Sequence, residues 1–147
     1  YDLLIYPRQL PAAIKLVAEF PDQPFVLDHI AKPPIKSGMF SPWREKVRDL
    51  AGYPNIHCKV SGMVTEADWA NWKPADFRPY LDVVFEAFGA GRLMFGSDWP
   101  VALLAGDYAR VVELARGHVA ALSAAEQAAF FGGNAARFYL GNDAAKL

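Results

Sequence analysis

The chain has 147 residues, which predicts one domain; 53% are hydrophobic, 14% aromatic and 21% charged. These proportions supply a sizeable core and exclude a disordered or low-complexity chain. The 15 Lys and Arg against 16 Asp and Glu give a net charge of −1, so no basic excess indicates a nucleic-acid or membrane partner.

A single cysteine, Cys58, excludes an internal disulfide and favours a reducing compartment, and we expect the cytoplasm. No run of about 18 apolar residues is long enough to span a bilayer. The chain starts at Tyr1 rather than Met, directly inside an apolar run. We therefore expect that its true N-terminus has been lost.

Four short apolar or alternating runs predict β-strands, at residues 1–6, 24–28, 55–61 and 93–97. Apolar residues at helical spacing predict helices at residues 9–20, 41–50, 79–88, 107–122, 123–131 and 134–140. Ser41 is the predicted N-cap of the second helix, Gly89 the C-cap of the third, and Ser123 with Glu126 a capping box.

Strands that alternate with helices predict a parallel sheet with crossover helices. No GxGxxG or GxxxxGK[ST] motif follows any strand, so the patterns of nucleotide-binding folds are lacking. A (β/α)₈ barrel needs eight strands and typically about 250 residues. The sequence therefore predicts α/β structure that forms the C-terminal half of a TIM-type barrel.

Polar residues follow each predicted strand, at the edge where the reactive groups of such barrels lie. Asp28 and His29 follow the second strand, and Lys32 comes shortly after them. A neutral imidazole there can bind a metal, polarise a carbonyl or move a proton. The alternative is that His29 caps a loop through a backbone carbonyl.

The third strand alternates His57, Lys59 and Ser61 on one face, with Gly62 allowing a close approach after it. Lys59 and Ser61 lie toward the mouth, whereas His57 lies at the start of the strand and is expected to be structural, as is His118 on a helix. A buried lysine is costly unless it is paired or functional. An ion pair of Lys59 with an Asp or Glu is therefore an equal alternative to a catalytic or binding role.

The fourth strand is followed by Asp98 and Trp99, and Asp98 is the strongest single catalytic candidate. A carboxylate after a buried apolar strand can act as general base toward water or as a metal ligand. The alternative is that Asp98 forms a turn or an N-cap before Pro100.

The strings FVLDHIAKP, NIHCKVSGM, RLMFGSDWPV and GGNAARFY, in this order, resemble the amidohydrolase-related family, in its sugar-lactonase-like subgroup (L-fuconolactonase and L-rhamnonolactonase types). The resemblance covers the whole chain. It implies a (β/α)₈ barrel in which His29 follows the fifth strand and Asp98 the eighth. It also implies a seventh strand that is either short and irregular or lies around residues 73–77.

The same resemblance implies that a His-x-His pair of the first strand would lie upstream of Tyr1. We therefore expect residues 1–147 to be a single domain that lacks the first three strands of its barrel. Because the sixth strand ends with Lys59 and Ser61 rather than a histidine, a binuclear metal site is disfavoured. One divalent ion (Zn, Mn or Mg), bound by His29 and Asp98, or no metal at all, is expected.

The activity implied is hydrolysis of a small-molecule substrate, a sugar-acid lactone. Asp98 would be the general base toward water, with His29, a cation or both polarising the carbonyl. The residues expected to bind substrate are Lys59, Ser61, Trp99, Asp28 and Lys32. Two alternatives are a decarboxylase of the same superfamily and an inactive half-barrel that serves as an association module and needs a partner half or a second copy. A homo-oligomer is a further expectation. The isolated chain is predicted to be inactive.

Overall fold

The sheet of this protein contains four parallel strands in chain order, seen in a computed structural model that describes residues 1–141. The strands are β1 (Asp2–Leu3), β2 (Phe25–Leu27), β3 (Ile56–Val60) and β4 (Leu93–Phe95). Parallel strands joined by crossover helices are the arrangement that the apolar runs predict. The expectation of a half-barrel of α/β structure is thus confirmed.

Within residues 1–141, six α-helices occupy the segments between and after the strands. They are α1 (Leu10–Glu19), α2 (Trp43–Ala51), α3 (Pro74–Phe88), α4 (Tyr108–Val119), α5 (Ala124–Ala128) and α6 (Asn134–Leu140), with one π-helical turn, Ala129–Gly133, before α6. The first three pack side by side along the sheet, and α4 packs on α3. No helix in residues 1–141 is long and apolar enough to cross a membrane.

The pairing register fixes which side chains share a face of the sheet. Leu27 is paired with Cys58, and Cys58 with Leu93, and all three are fully buried in the core beneath the helices. The opposite face carries Lys59 and its register partner Met94. The helix-covered face is thus apolar, and the charged groups of the strands lie on the other face.

Two helix starts differ from the sequence prediction. Ser41 is not the N-cap of α2, because the helix begins at Trp43 and Pro42 occupies the capping position. Helix α3 begins at Pro74 rather than at residue 79, because Pro suits a first helical turn and the carboxylate of Asp76 accepts from the Lys73 N–H at 2.8 Å.

The placement of a seventh strand around residues 73–77 is therefore wrong. Those residues open α3, and β3 pairs directly with β4. The capping predictions at Gly89 and at the Ser123–Glu126 box are confirmed: Gly89 ends α3 with φ of 69°, and the Glu126 N–H donates to Ser123 Oγ.

Side chains fix the amino end of the sheet, opposite the site described below. Arg92 donates to the carbonyl oxygens of Ala51 and Tyr53 at 2.9 and 2.8 Å. Asn134, only 2% exposed, donates to the carbonyl oxygen of Leu93 at 2.6 Å. These bonds satisfy backbone acceptors where strands and helices meet. They assign a structural role to the Asn of the GGNAARFY string.

Candidate active site

Three side chains from three consecutive strands meet at the carboxyl edge of the sheet. His29 follows β2, Ser61 follows β3 and Asp98 follows β4. Nε2 of His29 lies 3.6 Å from Oδ1 of Asp98, and its Nδ1 lies 2.7 Å from Oγ of Ser61. The side chains of His29 and Asp98 are 17% and 13% exposed, so both can still be reached from solvent. This arrangement is the His29–Ser61–Asp98 cluster.

The backbone that carries His29 is a left-handed turn of four residues without glycine. His29, Ile30, Ala31 and Lys32 have φ of 52°, 48°, 60° and 48°. Each such residue costs roughly 1–2 kcal/mol, so the surrounding structure must hold the turn in place. The indole of Trp43 does so by donating a buried hydrogen bond of 2.8 Å to the carbonyl oxygen of Ile30.

Asp98 is also left-handed, with φ of 57°, a conformation that Asp tolerates better than most residues. Its main-chain carbonyl accepts from the N–H of Ala102 at 2.8 Å and so starts the short helical turn Val101–Leu104. The turn is thus made by the backbone of Asp98, while the carboxylate faces His29. The turn and the contact with His29 use different atoms of Asp98, so its part in the turn leaves the carboxylate available.

Two glycines make room for the cluster. Gly62 has φ of 59°, and a Cβ built on it would lie 2.6 Å from Cγ of His29. A Cβ on Gly96 would lie 2.9 Å from Cβ of Ser61. The predicted close approach at Gly62 is confirmed, and the group that approaches is the His29 ring itself.

Lys59 lies between two carboxylates on the face turned away from the helices. Its Nζ lies 2.7 Å from Oδ1 of Asp28 and 3.2 Å from Oδ2 of Asp2, and 5.6 Å from the ring centre of Tyr139. Burial lowers the pKa of Lys59, but the hydrogen bond and charge of Asp28 outweigh it, so the pKa lies above its ordinary value. Lys59 is therefore a charged ammonium, and the ion pair that the sequence left open is present.

Burial lowers the pKa of His29 below its ordinary value, against the opposing negative charges of Asp98 and Asp28. The imidazole is therefore neutral near pH 7, with one ring nitrogen as a donor and the other as an acceptor. Such a ring can donate to a developing oxyanion or bind a cation, which are the two chemistries that the sequence indicates.

The remaining predicted site residues lie outside these contacts. Nζ of Lys32 is paired with Oε1 of Glu66 at 2.7 Å and lies 5.8 Å from the ring centre of Tyr6. Trp99 is 64% exposed, so its indole is free for a ligand beside Asp98. Sequence reasoning missed Glu66 because it stands in a loop with no strand-end signal.

The resemblance implies one divalent cation or no metal, and the donor atoms of His29 and Asp98 suit a cation. One imidazole nitrogen and one carboxylate oxygen suit zinc, and two ligand atoms at about 2.0–2.2 Å from one tetrahedral ion lie about 3.3–3.5 Å apart. The separation of 3.6 Å between His29 Nε2 and Asp98 Oδ1 is close to that value. In residues 1–141 no group of three or more metal-binding side chains occurs, so the pair fits as part of a ligand set.

Comparison with proteins of known sequence gives relatives of twice this length. The chain is 44% identical over 149 residues to an L-fucono-1,5-lactonase of Burkholderia multivorans, an alignment that covers 95% of this chain and 50% of the relative. It is 42% identical over 150 residues to an L-fucono-1,5-lactonase of Burkholderia ambifaria, covering 95% and 49%. The chain thus spans about half the length of the curated relatives it matches.

Solved structures agree with this. A crystal structure of an amidohydrolase from Burkholderia multivorans with bound zinc superposes with a TM-score of 0.89 at 44% identity, over 95% of this chain and 52% of that chain. The family model described as amidohydrolase matches residues 2–140. The sequence strings, the parallel half-barrel and the strand-end cluster agree with these matches, and the chain belongs to the amidohydrolase family.

Proposed function

We propose that a complete barrel containing this chain hydrolyses a sugar-acid lactone. The observation that carries the proposal is the contact of 3.6 Å between the Asp98 carboxylate and the His29 imidazole at the carboxyl edge of the sheet. A base beside a neutral imidazole suits attack of water on an ester carbonyl. The names of the two Burkholderia relatives, L-fucono-1,5-lactonase, support a sugar lactone as the substrate class.

Asp98 is the general base in this proposal. Its carboxylate takes a proton from the water whose oxygen attacks the lactone carbonyl carbon. Collapse of the tetrahedral intermediate breaks the bond between that carbon and the ring oxygen. The ring oxygen takes up the proton that Asp98 removed from the water and leaves as a hydroxyl, so the product is the open-chain hydroxy acid.

His29 stabilises the negative charge that develops on the carbonyl oxygen. When the hydroxyl of Ser61 donates to Nδ1, the ring carries its own proton on Nε2, the atom that faces Asp98. That N–H is then directed toward the place where the reacting carbonyl must lie. A preorganised donor of this kind lowers the energy of the transition state rather than strengthening the binding of the substrate.

A divalent cation is the second means of polarising the carbonyl. Nε2 of His29 and the carboxylate of Asp98 would hold it on this chain, and the remaining ligands would come from outside residues 1–141. When bound, such an ion acts as a Lewis acid on the carbonyl and lowers the pKa of bound water. We propose Trp99, Lys32, Asp28 and Lys59 as substrate contacts, whereas the buried Ser61 acts through the His29 ring that it contacts.

The test uses a complete barrel, made by joining this chain to the N-terminal half of the Burkholderia multivorans lactonase. We expect it to release acid from L-fucono-1,5-lactone, followed with a pH indicator, and Asp98→Asn to lower kcat by about 10²–10⁴-fold. Asp82→Asn, on an exposed side chain of α3, is the matched control and should retain full activity.

Two further measurements separate the alternatives. The isolated 147-residue chain should give no lactone hydrolysis, because the cluster alone lacks the other half of the pocket. Release of CO₂ from aromatic carboxylates by the complete barrel, without lactone hydrolysis, would replace the lactonase proposal by the decarboxylase. Full activity of Asp98→Asn would remove Asp98 from the mechanism.

A further inference from the structure

The hydroxyl of Ser61 is placed to act on His29 and not on a substrate. Ser61 is only 2% exposed, although the strand-end position predicts a substrate contact. Its Oγ lies 2.7 Å from Nδ1 of His29, the ring nitrogen on the far side from Asp98. Gly96, directly after β4, packs against Ser61. A Cβ built on Gly96 would lie only 2.9 Å from Cβ of Ser61. A substrate has no access to this oxygen.

The two contacts of the His29 ring constrain each other. A neutral imidazole carries one proton, so the nitrogen near Ser61 and the nitrogen near Asp98 have opposite roles. Without a cation, a bare lone pair on Nε2 would face the negative carboxylate of Asp98 at 3.6 Å, an unfavourable arrangement. A proton on Nε2 removes that repulsion and leaves Nδ1 as an acceptor, which requires a donor at Ser61.

The roles reverse when a cation lies between Nε2 and Asp98. A metal ligand needs its lone pair, so the ring proton must move to Nδ1, which then needs an acceptor. A hydroxyl is suited to both states, because by rotating its hydrogen it can donate in one and accept in the other. A backbone carbonyl or a carboxylate at this position could only accept.

We propose that Ser61 is a positioning residue that permits both tautomers of His29: its hydroxyl donates to Nδ1 in the cation-free site and accepts from Nδ1–H when a divalent cation is bound. This inference rests on the proposed function for its biological meaning. The tautomer itself is measured without any turnover, so the two proposals can fail independently.

The experiment records long-range ¹H–¹⁵N correlation spectra of the chain with ¹⁵N-labelled histidine at neutral pH. The chain contains three histidines, and His57→Asn and His118→Asn variants assign the signals. We expect His29 to show the Nε2–H tautomer in the absence of metal. In Ser61→Ala the Nε2–H tautomer should persist, because Asp98 still favours it, but the ¹⁵N signal of Nδ1 should move to higher chemical shift, because that nitrogen loses its donor.

A second variant keeps the hydroxyl but displaces it. Gly96→Ala should shift Ser61 and change the His29 signals in the same direction as Ser61→Ala. Gly91→Ala, where a Cβ meets nothing within 4 Å, and Ser37→Ala, whose hydroxyl donates to the Pro34 carbonyl, are the matched controls. Both should leave the His29 signals unchanged, and circular dichroism verifies the fold of every variant.

The zinc-binding experiment uses the complete barrel, in which further metal-binding side chains are present. Zinc titration should convert His29 to the Nδ1–H tautomer, and Ser61→Ala should weaken zinc binding by about 10–100-fold in competition with a chromophoric chelator. An unchanged Nδ1 signal of His29 in Ser61→Ala, or an Nδ1–H tautomer in the metal-free chain, would overturn the proposal. Lack of lactone hydrolysis with the expected tautomers would instead overturn only the proposed function.

Discussion

The indole of Trp43 in α2 donates a hydrogen bond of 2.8 Å to the carbonyl oxygen of Ile30, inside the left-handed turn that carries His29. Trp43 is only 1% exposed, so this carbonyl has no access to water. A side chain of the helix layer thus fixes the backbone beneath a candidate catalytic residue. Four consecutive left-handed residues without glycine keep their conformation because such contacts hold them.

Trp43→Phe should therefore lower the free energy of unfolding by about 1–3 kcal/mol, since it leaves a buried carbonyl without its donor. The matched control is Trp69→Phe, which removes an indole bond of the same length, 2.8 Å, to the carbonyl of Thr65 at a half-exposed position. Water can replace that donor, so the change should be smaller. Equal losses in urea unfolding would show that burial of the Ile30 carbonyl is unimportant.

Gly62→Ala should displace the His29 ring, because the new Cβ would lie 2.6 Å from its Cγ. Gly38→Ala is the matched control: Gly38 has φ of 68°, and nothing lies within 4 Å of an added Cβ. Both variants should lose about 1–2 kcal/mol of stability from left-handed strain. Only Gly62→Ala should also abolish lactone hydrolysis in the complete barrel, and normal turnover by this variant would contradict the contact.

Lys59→Met should destabilise the chain through the carboxylates it leaves behind. Asp28 is 15% exposed at its side chain and would lose its 2.7 Å partner. The exposed pair of Lys46 and Asp49 on α2 provides the comparison, and Lys46→Met should cost no more than about 1 kcal/mol. If thermal unfolding shows the same small change for both variants, the Lys59 pairs do not stabilise the sheet.

Stability should fall as the pH drops below the ordinary histidine pKa of 6.5, with His57 as one cause. Burial, and then the positive charges of Arg92 and Arg137, lower the pKa of His57, whose ring packs 4.9 Å from that of Phe138. In that range the unfolded chain binds a proton before the folded chain does, so the free energy of unfolding decreases with falling pH.

The measurement is chemical unfolding of the chain at pH values from 7.5 down to 5.5, with and without His57→Asn. The variant should have a shallower pH dependence than the unmodified chain over this range. Burial lowers the pKa of His118 as well, against the opposing charge of Asp82, so His118→Asn should also flatten the curve. An unchanged slope in His57→Asn would mean that this histidine does not titrate differently on folding.

Local sequence was sufficient to locate the four strands and the positions of His29 and Asp98, although β1 spans only Asp2–Leu3 of the predicted residues 1–6. Apolar runs mark strands that are buried on both faces, and the first polar residues after them must emerge at the carboxyl edge. Gly62 was likewise identified as a point of close approach. These features depend on period and on order along the chain, which a sequence shows directly.

The other features depend on contacts between distant segments. The left-handed turn after β2 contains no glycine, so nothing in its composition indicates it, and Trp43 holds it from another element. The partners of Lys59 lie 31 and 57 positions away, at Asp28 and Asp2. Residues 73–77 were one possible place for the seventh strand that the resemblance implies, and they open α3 instead, because the start of this helix is set by Pro74, before the apolar periodicity begins.

The hydroxyl of Tyr139 in α6 donates to the carboxylate of Asp2 in β1, across 137 positions of the sequence. β1 has only two residues, and its other partner is the neighbouring strand β2. The bond from Tyr139 therefore joins the two ends of the described chain, residues 1–141. Tyr139→Phe should increase hydrogen exchange in β1 more than in β2, β3 or β4.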